Sequence, residues 1–234
     1  MGASIGNINA TEKPETKYFY FKVINFSNFW LYGWGAIGIA LVLSDIVELC
    51  FGSNYVLPIS IPIIIAINFY IVGMQSAVWT FKSTLGLFKY GQYLLFITAS
   101  LNIVGDIIMG EKLGVFGIFL ATVISRILTN CWYDPYVVFK HGFHKKFTKY
   151  FLEYLWYFLV LLVAAILCFV SCVWVNFSPL ANVIFKIIIC SIVPNVVFYL
   201  FFHSTEKYQY FVNKVHEIIS LVVYKSKGLV RKGE

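Results

Sequence analysis

Long uncharged stretches dominate the order of apolar and polar residues along the chain. Residues 23–44, 49–81, 90–105 and 154–185 contain no Asp, Glu, Lys or Arg. A helix needs about 20 apolar residues to cross the hydrocarbon of a bilayer. The first stretch predicts a helix over about 28–49. The second predicts one over 54–76, entered through Pro58 and Pro62. The third extends past Asp106 to give 93–110, and a further apolar run holding Arg126 gives 113–133. The fourth is too long for one crossing. Its turn Asn176-Phe177-Ser178-Pro179 divides it into 154–176 and 180–202, the latter with Lys186. The expectation is an all-α, polytopic membrane protein. An N-terminal segment over 1–27 precedes a six-helix bundle over 28–202, and a basic amphipathic tail over 203–234 follows it.

Composition agrees. Of 234 residues, 60% are hydrophobic and 12% charged, against roughly 25% charged in an ordinary soluble domain. A mean hydropathy of +0.79 requires segments that are apolar all round, which excludes a soluble enzyme, a nucleic-acid binder and a disordered chain. No cleavable signal peptide is visible, because Lys13, Lys17 and Lys22 precede the first apolar run and no small-residue cleavage site follows it.

The net charge of +7 matters less than where it lies. With six spans, the N-terminal segment, the loops at 77–92 and 134–153 and the tail share one side and carry fifteen of the eighteen Lys and Arg residues. The opposite turns hold only Lys112, and Arg126 and Lys186 lie inside spans. The positive-inside rule then puts both termini in the cytoplasm. Two basic segments have helical apolar spacing: 147–158, through Phe147, Tyr150, Phe151, Tyr154, Leu155 and Phe158, and the tail, through Phe211, Val215, Ile218 and Val222. Both read as amphipathic helices lying on anionic membrane lipid.

Enzymatic and metal-binding motifs are missing, so no catalytic residue, cofactor or metal is expected. The histidines (His141, His144, His203, His216) sit in basic segments, and the five cysteines, including the i, i+4 pair Cys168 and Cys172, read as small apolar packing. Asn9-Ala10-Thr11 and Asn176-Phe177-Ser178 match the short glycosylation tripeptide.

Ionisable groups within spans carry the functional interest, since each is costly in hydrocarbon. Arg126 lies roughly 20 Å along its helix from the outer end. It reads either as a cavity-facing fork for phosphate or as an arginine that snorkels or is paired internally. Lys186, Asp106, Asp45 and Glu48 share an outer depth. They form either an ion-paired outer gate, with Lys186 and Asp106 the best-matched pair, or separate interfacial residues. Asn68, Asn102 and Asn195 are mid-span amides suited to interhelical hydrogen bonds or to substrate contact. Pro194 is expected to bend the last span.

Several words in the sequence resemble a known family. They are Ser4-Ile5-Gly6-Asn7 with Ala10, Phe29-Trp30, Glu48-Leu49 with Gly52, Asn68-Phe69-Tyr70 with Gly73-Met74, Thr80-Phe81 and Gly86-Leu87-Phe88. Tyr93 and Asn102 follow, then Gly114-Val115-Phe116-Gly117-Ile118-Phe119 with Thr122 and Ser125, then Trp132, Pro135, Tyr136 and Lys140-His141-Gly142-Phe143. Over residues 2–152 this order is similar to the C-terminal portion of bacterial polysaccharide-unit flippases, the Wzx-type branch of the multidrug/oligosaccharidyl-lipid/polysaccharide exporter superfamily. The resemblance implies part of a two-lobed exporter that moves undecaprenyl-pyrophosphate-linked oligosaccharide across the cytoplasmic membrane without hydrolysing ATP. Arg126 would meet pyrophosphate, with Asn68 and Asn102 as further substrate contacts. The partners implied are membrane lipid, the lipid-linked oligosaccharide, a missing N-terminal lobe or a second chain, and the polysaccharide polymerase machinery. The sequence departs from the family at Gly91 and Gln92, where an Asp-Arg pair is frequent, at Thr98 in place of glutamate, and at Asp45 in place of proline. The alternatives are a non-transporting remnant or scaffold of the same machinery and a drug or cation exporter. Arg126 as the deepest charge argues against the exporter.

Overall fold

The computed structural model describes residues 2–173 and 178–230. They form helices α1 (Gly2–Thr11), α2 (Pro14–Phe51), α3 (Ser60–Thr84), α4 (Leu94–Leu128), α5 (Asn130–Val137), α6 (Thr148–Val173), α7 (Pro179–Phe202) and α8 (Glu206–Val230). No strand occurs among the described residues. Five helical runs there are long and apolar enough to cross a membrane: α2, α3, the run Leu94–Phe143, α6 and α7. The protein is a multi-pass, all-helical membrane protein.

The run Leu94–Phe143 is not a straight rod. Gly114 interrupts α4 with φ 60° and ψ −143°, a region open chiefly to glycine. The chain doubles back there, so that Thr98 Oγ1 donates to Thr129 Oγ1 at 2.8 Å and Asn102 Nδ2 donates to Thr122 Oγ1 at 3.1 Å. In an unbroken helix Thr98 and Thr129 would be about 46 Å apart. Close approach is secured by further glycines. A Cβ on Gly105 would sit 2.8 Å from that of Ala121, and one on Gly117 would sit 2.0 Å from the Met109 carbonyl oxygen. The expected helices over 93–110 and 113–133 therefore correspond to the two arms of one hairpin, with exposed Glu111 and Lys112 at its tip.

Other boundaries differ from expectation for local reasons. The first long helix starts at Pro14, whose fixed φ suits the first helical turn, instead of near 28. The second starts at Ser60, not 54, because Gly52 takes φ 92° and Ser53–Tyr55 form a separate 3₁₀ turn before Pro58. It continues to Thr84 instead of ending at 76. Residues 148–158 are not a separate surface helix but the opening turns of α6, with Tyr150 and Tyr157 buried in the bundle. Asn9 is buried, and its Nδ2 donates to Thr84 Oγ1 at 2.6 Å, so it is no glycan acceptor in this fold. Residues 174–177, with Asn176 and Phe177 of the expected turn and second tripeptide, lie outside the described residues, as do Arg231 and Lys232 of the tail. The Ile218 and Val222 side chains of its amphipathic face likewise lie outside what is described. Pro194 lies within α7.

The core forms around α2, which rises about 57 Å over its 38 residues. Phe26 and Phe29 meet Tyr157, Phe198 and Phe202, with Phe29 stacked on Tyr157 at 4.5 Å between centroids. Nearer the start of α2, Phe21 packs edge-on to Phe81 and Phe139. At the α2–α3 contact the Tyr32 ring fills the place of a side chain at Gly73, where a Cβ would lie 2.0 Å from the ring. Gly73→Ala should therefore lower the thermal unfolding temperature in detergent, with an overpacking cost of about 1–3 kcal/mol. Gly38→Ala, where nothing lies within 4 Å of the added atom, should leave it unchanged; equal shifts for the two variants would refute this packing.

Candidate functional site

Charge is the scarce resource in an apolar bundle, and the structure pairs most of what is half-buried. Lys186 on α7 donates to Asp45 on α2 at 2.6 and 2.8 Å, and Asn182, one turn earlier, reaches the same carboxylate at 3.4 Å. This corrects the expected match of Lys186 with Asp106. Helix α7 packs against α2, whereas Asp106 lies on the outer arm of the α4 hairpin, the residues before Gly114, and accepts from Asn102 Nδ2 at 3.2 Å; the inner arm, after Gly114, packs on α3. Glu48, one turn from Asp45, engages Gly52 N–H through its backbone carbonyl at 2.8 Å and makes no side-chain ion pair among the described residues.

Two further pairs were not foreseen as such. Lys82 on α3 donates to Asp134 Oδ1 on α5 at 2.6 Å, and Trp79 Nε1 donates to Asp134 Oδ2 at 3.0 Å. Lys207 at the start of α8 pairs with Glu153 on α6 and donates to the Tyr157 hydroxyl at 2.6 Å, with its ammonium over the Tyr157, Phe26 and Phe202 rings. A signal was available, since Asp134 and Glu153 are the two acids of the otherwise basic segment 134–153. Counting lysines for orientation hid it.

Arg126 stands apart from these pairs. It lies on the inner arm of the hairpin, half-buried, and its Nε is buried without a hydrogen-bond acceptor. Among the described residues no carboxylate lies within ion-pair distance of it. Of the two cations expected inside spans, Lys186 is thus neutralised and Arg126 is not. The inner arm runs beside α3 in the same direction: Ile71 packs with Val123, and Gln75 Nε2 donates to Cys131 Sγ at 3.1 Å. Asn68 lies on α3 with its Oδ1 buried and unpartnered. Asn102 is instead committed to Asp106 and Thr122, as an amide that holds a hairpin. Asn195 accepts from Trp30 Nε1 at 2.7 Å and so joins α7 to α2.

A groove of about 300 Å³ opens between α2 and α7, lined by residues such as Trp34, Gly38, Val42, Ile187 and Cys190, and its walls are almost wholly apolar. Among the described residues no three His, Cys, Asp or Glu side chains are placed to share a metal ion. Comparison with protein-family models, with curated proteins and with solved structures finds no match for this chain.

Removing one partner of a desolvated pair leaves an uncompensated charge, at a cost of about 3–5 kcal/mol when burial is complete and less at these partly exposed sites. Asp45→Leu or Lys186→Met alone should lower the thermal unfolding temperature in detergent, and the double substitution should recover most of the loss. Additive losses in the double variant would count against the pair.

Proposed function

We propose that this chain is the membrane-embedded C-terminal portion of a flippase that carries undecaprenyl-pyrophosphate-linked oligosaccharide repeat units across a bacterial cytoplasmic membrane. In this reading the hairpin arms count as separate spans, giving six, with both termini in the cytoplasm. The observation that carries the proposal is Arg126: a guanidinium set in an apolar hairpin and unpaired among the described residues, whereas Lys82, Lys186 and Lys207 each have a carboxylate. A free cation at that depth is expensive unless it meets an anion or water. Its planar fork offers two parallel hydrogen bonds to a phosphate group. The buried, unpartnered Asn68 Oδ1 on the adjacent helix supplies an acceptor for a sugar hydroxyl. Sequestering the charged headgroup while the polyprenyl tail stays in lipid removes the cost of dragging that headgroup through hydrocarbon.

Arg126 on one bundle makes only one wall of such a passage. A facing lobe or second chain is therefore part of the proposal. The decisive experiment expresses the chain, alone and with a flippase N-terminal half, in cells lacking their own repeat-unit flippase, and measures surface polysaccharide. Rescue is expected with the added half. Arg126→Gln should then reduce it at least about tenfold, the loss of roughly 1.4 kcal/mol of charge-assisted binding, and Arg126→Lys should restore part of it. Full rescue by Arg126→Gln would remove the phosphate role. Failure of the stably inserted wild-type chain to rescue in either setting would replace transport with the scaffold reading.

A further inference from the structure

Three polar side chains deep in the bundle lack protein partners for some or all of their hydrogen-bonding groups. Asn25 is fully buried, and neither its Nδ2 nor its Oδ1 meets a partner. The Tyr70 hydroxyl and Gln75 Oε1 are likewise buried and unpartnered, on residues each 4% exposed. Each such group costs about 1–3 kcal/mol if left unsatisfied, and buried polar groups in folded proteins are satisfied by protein or by ordered water.

These groups converge. On α2, Asn25 lies one turn from Phe21, whose ring meets Tyr150 at 6.1 Å, and one turn from Phe29, which stacks on Tyr157. The α6 residue between Tyr150 and Tyr157 on that side is Tyr154, and its ring lies 6.1 Å from that of Tyr70. Gln75 Nε2 holds Cys131 on α5, five residues along the chain from Arg126. Asn25 on α2, Tyr154 on α6 and Tyr70 on α3 thus follow one another around one locus, and Gln75, five residues along α3 from Tyr70, links it to Cys131 on α5.

We propose that this locus is an internal hydration site, a small cluster of water molecules bound by Asn25, Tyr70 and Gln75 that extends to Arg126. The chemistry selects water. The unpartnered groups include donors (Asn25 Nδ2, Tyr70 OH, Arg126 Nε) and acceptors (Asn25 Oδ1, Gln75 Oε1), and Asp134 and Glu153, the carboxylates on the adjoining α5 and α6, are each taken up by a lysine. The surrounding Phe21, Phe29 and Met74 are buried, so a ligand there has to sit among close-packed apolar side chains. Such a cluster solvates Arg126 from inside the protein and lets the guanidinium stay charged in an apolar hairpin. This deepens the anion-binding reading of Arg126, but its test reads water and not transport, so the two can fail separately.

The test is X-ray radiolytic labelling of the full-length protein in detergent in ¹⁸O-enriched water, read by mass spectrometry. Bound water generates hydroxyl radicals in place and labels the rings it touches. Tyr70 should be labelled at a rate approaching that of exposed Tyr93 (72% exposed), whereas the equally buried ring of Phe198, in the apolar core, should stay near background. Asn25→Leu and, separately, Gln75→Leu should each reduce Tyr70 labelling while leaving Tyr93 unchanged. Wild-type Tyr70 labelled as slowly as Phe198 overturns the proposal. So does a higher thermal unfolding temperature in Asn25→Leu, the result expected for an amide buried dry.

Discussion

An ammonium removed from water must meet a carboxylate, and three such meetings brace this bundle. Lys186 with Asp45 ties α7 to α2, Lys82 with Asp134 ties α3 to α5, and Lys207 with Glu153 ties α8 to α6. Each pair joins different helices, so each adds a directional constraint to contacts that are otherwise apolar. In a bilayer this matters more than in water, because lipid tails are as apolar as leucine and give helices little hydrophobic reason to choose particular neighbours. Packing shape does the rest. Tyr32 enters the gap at Gly73, Phe29 stacks on Tyr157, and Trp30 donates to Asn195.

The α4 hairpin follows a second logic. Its arms carry few large interlocking side chains toward each other. They approach through Gly105, Gly110 and Gly117 and are held by hydroxyl and amide hydrogen bonds from Thr98, Asn102, Thr122 and Thr129. Small residues permit close backbones, and polar side chains that would be costly in lipid find each other across the seam. Arg126 is carried on the same inner arm, which is why its lack of a carboxylate among the described residues stands out.

Much of this was legible in the sequence. Uncharged stretches located every long apolar helix, and Gly114 falls at the very start of the expected span 113–133. Periodicity could not see that the first helix runs back to Pro14, because Lys17 and Lys22 interrupt the apolar pattern without interrupting the helix. Nor could it choose partners. Asp45 and Asp106 lie at similar depth to Lys186, Asp106 reads as the better match in sequence, and only the packing of α7 on α2 selects Asp45. Lys82 and Asp134 were hidden because loop charges were read as topology signals. The orphaned amide of Asn25 has no sequence signature, since its meaning depends on what surrounds it.

The length of α2 has a mechanical consequence. Its rise of about 57 Å is nearly twice the thickness of the roughly 30 Å hydrocarbon layer. An upright α2 would project some 27 Å beyond the lipid as an unbroken rod. The ring of Tyr210 on α8 is seated edge-on against Phe19 and Tyr20 near the start of α2. The same backbone therefore forms the centre of the bundle and a lever outside it. A tilt of about 10° within the membrane would sweep the projecting end through about 5 Å, carrying with it the docked start of α8 and the Phe81 and Phe139 rings packed on Phe21, so that small reorientations among lipids become large displacements in water.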